Sequence, residues 1–94
     1  MTTTKNIIDQ INFVADKCKD AGKLDPFYSH AAFSIYEFAE ALTVKYESQL
    51  NNDFTTLTFE ERKSIKVFIA HFSASYGILD FDDIMLNQAL WVTE

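Results

Sequence analysis

The stretch DPFYSHAAFSIYEFAEALTV, residues 25–44, decides the fold class. Asp25 stands before Pro26, which places a capping side chain ahead of the residue type favoured at the first helical position. A long run of apolar periodicity follows, and it predicts a helix over 26–50. At about 100° per residue, Tyr28, Ala31, Ile35, Phe38, Ala39, Leu42, Tyr46 and Gln49 share one broad face, so most of this aromatic stretch belongs to a core. Phe33 and Val44 fall near the opposite side beside Glu37 and Glu40, with His30 and Ala41 at the margin. A helix apolar over more than one stripe is either central in a bundle or covered by another chain.

Working outward, Ile7, Ile11, Val14 and Cys18 recur at intervals of three and four, which predicts a first helix over 5–21. Thr3 or Thr4 is available as its N-cap and Gly22 as its terminator. The polar NNDFTT at 51–56 ends the second helix. Thr58 and Glu61 then have the spacing of a capping box, in which hydroxyl and carboxylate each take a backbone N–H that the helix leaves unpaired. A third helix is expected over 59–76, stopped at Gly77, and a short fourth over 82–92, capped by Asp80 or Asp82. DFTTLTF, residues 53–59, is the one place with strand-like composition, and its flanks favour a loop. The expectation is an all-α fold, a compact bundle of about four helices forming a single domain over 1–94. Surplus apolar residues recur off the main stripes: Phe13 on the first helix, Val67 on the third, and Leu86 and Leu90 pointing away from Ile84 and Trp91 on the last.

Composition agrees with that class. Ninety-four residues, 48 % hydrophobic and 15 % aromatic with two glycines and one proline, describe a folded chain and disfavour a turn-rich sandwich. A chain this short buries about 60–65 % of its unfolded surface, enough for one core. The lone Cys18 forms no internal disulfide, which points to a reducing, cytoplasmic setting. Neither a signal peptide nor a membrane-spanning run is legible. Fourteen acidic residues against eight basic ones give a net charge of −6, which opposes binding to duplex DNA and suits a protein partner with a basic surface.

Catalytic and cofactor signatures are not legible. His30 and His71 lack a ligand three or four positions before them, so no metal site is expected. Cys18 lies on an apolar stripe, where burial raises a thiol's pKa and suppresses attack. Glu37 and Glu40 have the spacing of a solvated face. Gly22 and Gly77 are isolated at helix ends and make no phosphate loop. The reading is therefore no enzyme and no cofactor. Arg62, Lys63 and Lys66 lie in the first turns of the third helix, where the helix dipole disfavours cations by a few tenths of a kcal/mol each. They are either a solvated face balanced by Glu60 and Glu61 or, with Tyr36, an anion site for a nucleotide-like ligand at an oligomer boundary.

Two functions follow as expectations. The first is a non-enzymatic protein–protein interaction module, a small acidic inhibitor or regulator of a nucleic-acid-handling or host defence complex. Proteins of this type are met among phage and plasmid accessory proteins, although no shared motif carries the comparison. Its interface is read as Phe33, Glu37, Glu40, Val44, Leu86 and Leu90, with a homodimer or small closed oligomer expected. The second is a small-ligand binder that uses the aromatics and the basic cluster.

Overall fold

The computed structural model describes residues 2–78 and 81–91. Three long helices form the body: α1 (Thr4–Ala21), α2 (Pro26–Lys45) and α3 (Phe59–Tyr76). Two short ones, α4 (Asp82–Met85) and α5 (Gln88–Trp91), follow, and there is no strand among the described residues. The fold is a small all-α bundle, as its apolar periodicity requires. Among the described residues no helix is long and apolar enough to cross a membrane.

The helix starts are chemically specified. Thr3 caps α1, its hydroxyl accepting from the Asn6 N–H at 3.1 Å while Asn6 Oδ1 accepts from the Thr3 N–H at 2.9 Å. Asp25 caps α2 through the Phe27 N–H. At α3 the Thr58–Glu61 box is closed in both directions, at 3.1 and 3.2 Å. The two glycines act by different means. Gly77 ends α3 at φ +64°, the left-handed conformation that side chains resist. Gly22 ends α1 at φ −64°, and there the lack of a side chain serves a close approach. A Cβ at Gly22 would lie 2.2 Å from Ser29 Oγ and 2.9 Å from the Ser29 backbone nitrogen.

The hairpin of α1 and α2 supplies half of the core: Ile7, Ile11, Val14, Ala15 and Cys18 pack with Ala31, Ile35 and Ala39. α3 joins it mainly through aromatic rings. Phe38 stacks on Phe68 with centroids 5.0 Å apart and touches Phe72, and Phe27 meets Tyr76 edge-on at 5.3 Å. At the other end Tyr46 and Lys45 lie against Glu61. Contacts at 27/76, 38/68 and 46/61 run in opposite directions along the two helices, so α2 and α3 are antiparallel.

Several expectations are corrected. α2 stops at Lys45, not Leu50, because Tyr46 leaves helical geometry with its ring buried and the chain continues as a 3-10 turn over Glu47–Gln49. That turn brings the carbonyls of Leu50 and Asn52 onto the N–H groups of Lys5 and Thr4 at the start of α1. The 53–59 stretch keeps its expected loop character, with a 3-10 turn over Phe54–Thr56 and a bridge between Thr3 and Asp53. Phe68 is half exposed at the edge of the α2–α3 seam. The last helix is broken at Leu86 and Asn87. The Ile84 carbonyl instead accepts from the Trp91 indole N–H at 2.9 Å and the Asn87 N–H. That break turns Leu90 inward, to 5 % exposure, beside Ile84 and Trp91. The expected cap by Asp80 or Asp82 and the helix end at Val92 lie outside the described residues and side chains.

Arg62 is the largest fully buried side chain, at 1 % exposure. Its Nε donates to the Leu57 carbonyl at 3.2 Å and its Nη1 to the Leu90 carbonyl at 2.9 Å, tying α3 to the preceding loop and to α5. Arg62→Met should destabilise the fold by about 2–4 kcal/mol, since two buried carbonyls lose charged donors. Lys63→Met, one residue on and exposed, should stay within about 0.5 kcal/mol. Urea unfolding of the two variants checks the contrast.

Candidate functional site: an exposed face on the second and third helices

The basic cluster and Tyr36 do not assemble. Arg62 points into the core, Lys63 points out, and Lys66 is half-buried. Tyr36 lies on the α1 side of α2, where its hydroxyl donates to Asp16 Oδ1. The anion site read as Arg62, Lys63, Lys66 and Tyr36 is thus corrected: the guanidinium is used by backbone carbonyls and the phenol by α1. Sequence reasoning missed both because charge in a helix's first turns looks solvated until the partner segment is known. Among the described residues no group of three His, Cys, Asp or Glu side chains is placed to hold a metal ion. His30 and His71 are exposed, and Cys18 is buried.

The interface residues separate differently. Phe33, Glu37, Glu40 and Val44 are all exposed on α2, with Phe33 at 64 % and Val44 at 69 %. Leu86 is exposed in the turn between α4 and α5, and Leu90 is buried, which removes it from any interface.

The exposed residues of α2 and α3 belong to one face. At about 100° per residue from Phe38, the buried Ile35, Ala39 and Leu42 lie to one side. Ala41, His30, Glu37, Val44 and Phe33 lie to the other. Counted the same way from Phe68, the buried Ile65, Ile69 and Phe72 lie to one side of α3, and Ser64, His71, Glu60, Val67, Ala74 and Lys63 to the other. Because the helices are antiparallel and meet at Phe38 and Phe68, equal rotation on each carries both exposed strips to the same side of the molecule. Val67, 60 % exposed, stands at the centre of the α3 strip. A shallow depression between Glu37, Glu40, Ala41, Val44 and Lys45 lies on the α2 half, and another between Glu60, Lys63, Ser64, Val67 and Phe68 on the α3 half. Periodicity had marked Val67 as surplus; what it lacked was the register that places Val67 beside the α2 strip.

Electrostatics beneath the face fix its C-terminal α2 corner. Burial foremost, with a hydrogen bond to Glu61 and that carboxylate's charge, pushes the Tyr46 phenol up to about 12. Partial burial opposes charge on Glu61, but donation from the Thr58 N–H and hydroxyl and the Tyr46 hydroxyl, with Lys45 nearby, outweighs it. The Glu61 carboxyl is held below its usual value. Tyr36 is likewise pushed up to about 12, first by its hydrogen bond to Asp16.

No protein-family model, curated protein or solved structure matches the chain.

A phenol whose folded value is raised stays neutral longer in the folded than in the unfolded state. Its contribution to stability is complete below about pH 10, the ordinary tyrosine value, and is lost as pH rises through about 12. Glu61 behaves oppositely: its contribution is present above the ordinary carboxylate value and is lost as pH falls through its lowered one. Tyr46→Phe should cost about 1 kcal/mol at neutral pH and remove the larger part of the alkaline loss. Tyr36→Phe, whose hydroxyl is near water, should remove the smaller part. Urea unfolding between pH 8 and 12 measures both.

Proposed function

We propose that this chain is a non-enzymatic protein–protein interaction module, acting through the α2–α3 face in a reducing, cytoplasmic setting. Its role in this reading is that of a small acidic inhibitor or regulator of a nucleic-acid-handling complex. The observation that supports it is the grouping of Phe33, Val44, Val67 and Phe68, all at least half exposed, on one side of a domain whose own core is already closed. Isolated exposed apolar residues are ordinary on a monomer, whereas a contiguous set rimmed by charge marks a docking surface. Phenylalanine and valine bury large area at low rotamer cost, and Glu37 and Glu40 among them favour a partner carrying basic groups. The lone buried thiol suits a reducing compartment.

The nucleotide-binding alternative loses its main support with the inward turn of Arg62 and the attachment of Tyr36 to α1.

Affinity capture with the wild-type chain and with Phe33→Glu separates the readings. Since Phe33 is exposed and lies outside the buried core, Phe33→Glu should fold with an unchanged helical spectrum and lose the captured proteins. Retention of the same proteins by the variant would sink the docking reading. A nucleotide that stabilised the wild type by roughly 2.7 kcal/mol at 100 times its dissociation constant would favour the alternative.

A further inference from the structure

We propose that the α2–α3 face is closed by a second copy of this chain, related by a two-fold axis parallel to the helices, so that α2 of each copy lies over α3 of the other. The inference rests on the reading of this face as a docking surface and names its occupant. A two-fold axis gives a self-complementary, closed pair. An axis parallel to the helices leaves every residue at its own level along them. The levels are set by the Phe38–Phe68 stack, with 27/76 and 46/61 on either side.

At those levels the two strips complement each other in charge and in size. Glu40 stands opposite Lys66, where the outward side chains of α3 are Lys63 and Val67. Glu37 comes to the level of Ile69, between the outward Val67 and His71. Phe33, the most exposed ring on α2, comes to a level between Ala70 and Ala74, two exposed small residues. A ring over paired alanines is the arrangement in which a side chain fills a hole on the facing helix. The competing arrangement has the axis across the helices at the level of the Phe38–Phe68 stack and lays α2 on α2. It sets Glu37 and Glu40 against the same two residues of the second copy, and like charges in contact are repelled. Charge therefore selects the pairing of α2 with α3.

The size of the face sets the strength. Levels 30 to 45 of α2 span about 22 Å at 1.5 Å per residue, and two adjacent helices are about 20 Å across. The pair would remove roughly 900 Å² over both copies, at the small end of specific interfaces. An interface of that size belongs with weak, transient pairs, and dissociation on the order of 10 µM is taken as the working expectation. A dimer of that strength dissociates on dilution, so the second copy and a foreign partner compete for one face.

Sedimentation equilibrium up to about 300 µM decides it, well above the dissociation constant expected. Work at about 0.15 M salt screens the repulsion between two chains of charge −6. The wild type should be a dimer at the top of this range. Glu40→Lys and Lys63→Glu should each weaken it by about tenfold, and the double variant should recover wild-type association. Both positions are exposed, so folding is retained, and circular dichroism verifies that. Val67→Glu, at the centre of the α3 strip, should give a folded monomer. A wild type that is monomeric throughout would overturn the proposal, as would a dimer indifferent to Val67→Glu or single variants that are not mutually rescued. A monomer whose captured proteins are still lost on Phe33→Glu would leave the docking reading standing with a different occupant. A monomer that keeps them would remove both.

Discussion

The contact between the Phe38 and Phe68 rings places everything on the outer side of this molecule. α1 and α2 form a closely packed hairpin whose register follows from small residues, Ala31 and Ala39 among them, and from the close passage of Ser29 over Gly22. α3 has no such small-residue seam with α2. It is held off by aromatic side chains, so ring geometry sets how α3 is rotated and how far along α2 it sits. A slip of one turn, about 5.4 Å, would take Val67 out of line with Glu37 and Ala41 and separate Tyr46 from Glu61. The exposed face is a product of that register.

Arg62 does the corresponding task for the inner side. Burying a guanidinium is costly unless its donors are used, and two of them end on the carbonyls of Leu57 and Leu90. A segment of two four-residue helices would not hold together alone. Its attachment relies on this fork, on the Trp91 indole bonded to Ile84, and on the Phe54 ring set edge-on to Trp91 at 5.4 Å.

Much of this was legible in the residues. The three long helices, the Asp25–Pro26 start, the Thr58–Glu61 box and the Gly77 stop depend on local chemistry, and local chemistry is written in order along the chain. The surplus at Phe33, Val44 and Val67 was legible for the same reason, since helical periodicity reports which side chains cannot share a core. Arg62 and Leu90 were misread because their environment is made by residues 28 positions apart: the break at Leu86 and Asn87 that turns Leu90 inward also presents its carbonyl to the guanidinium. Tyr36 was misassigned because a helical wheel does not say which neighbour occupies which side. The end of α2 was overrun because Tyr46 continues the apolar pattern while its backbone leaves the helix.

The backbone pairing of residues 2–5 with 50–54 ties parts of the chain that are distant in sequence. An α-helix ordinarily begins with N–H groups in water, and its first turn frays freely. Here the Thr4 and Lys5 amides donate to Asn52 and Leu50, and the Phe54 amide donates back to the Thr2 carbonyl. Opening the first turn of α1 therefore also releases the loop that leads into α3, and neither can loosen alone. The helical hairpin is thus a closed ring. Its amino end and the passage toward α3 should behave as one cooperative unit, with slow amide exchange at a position where helices are usually at their most labile.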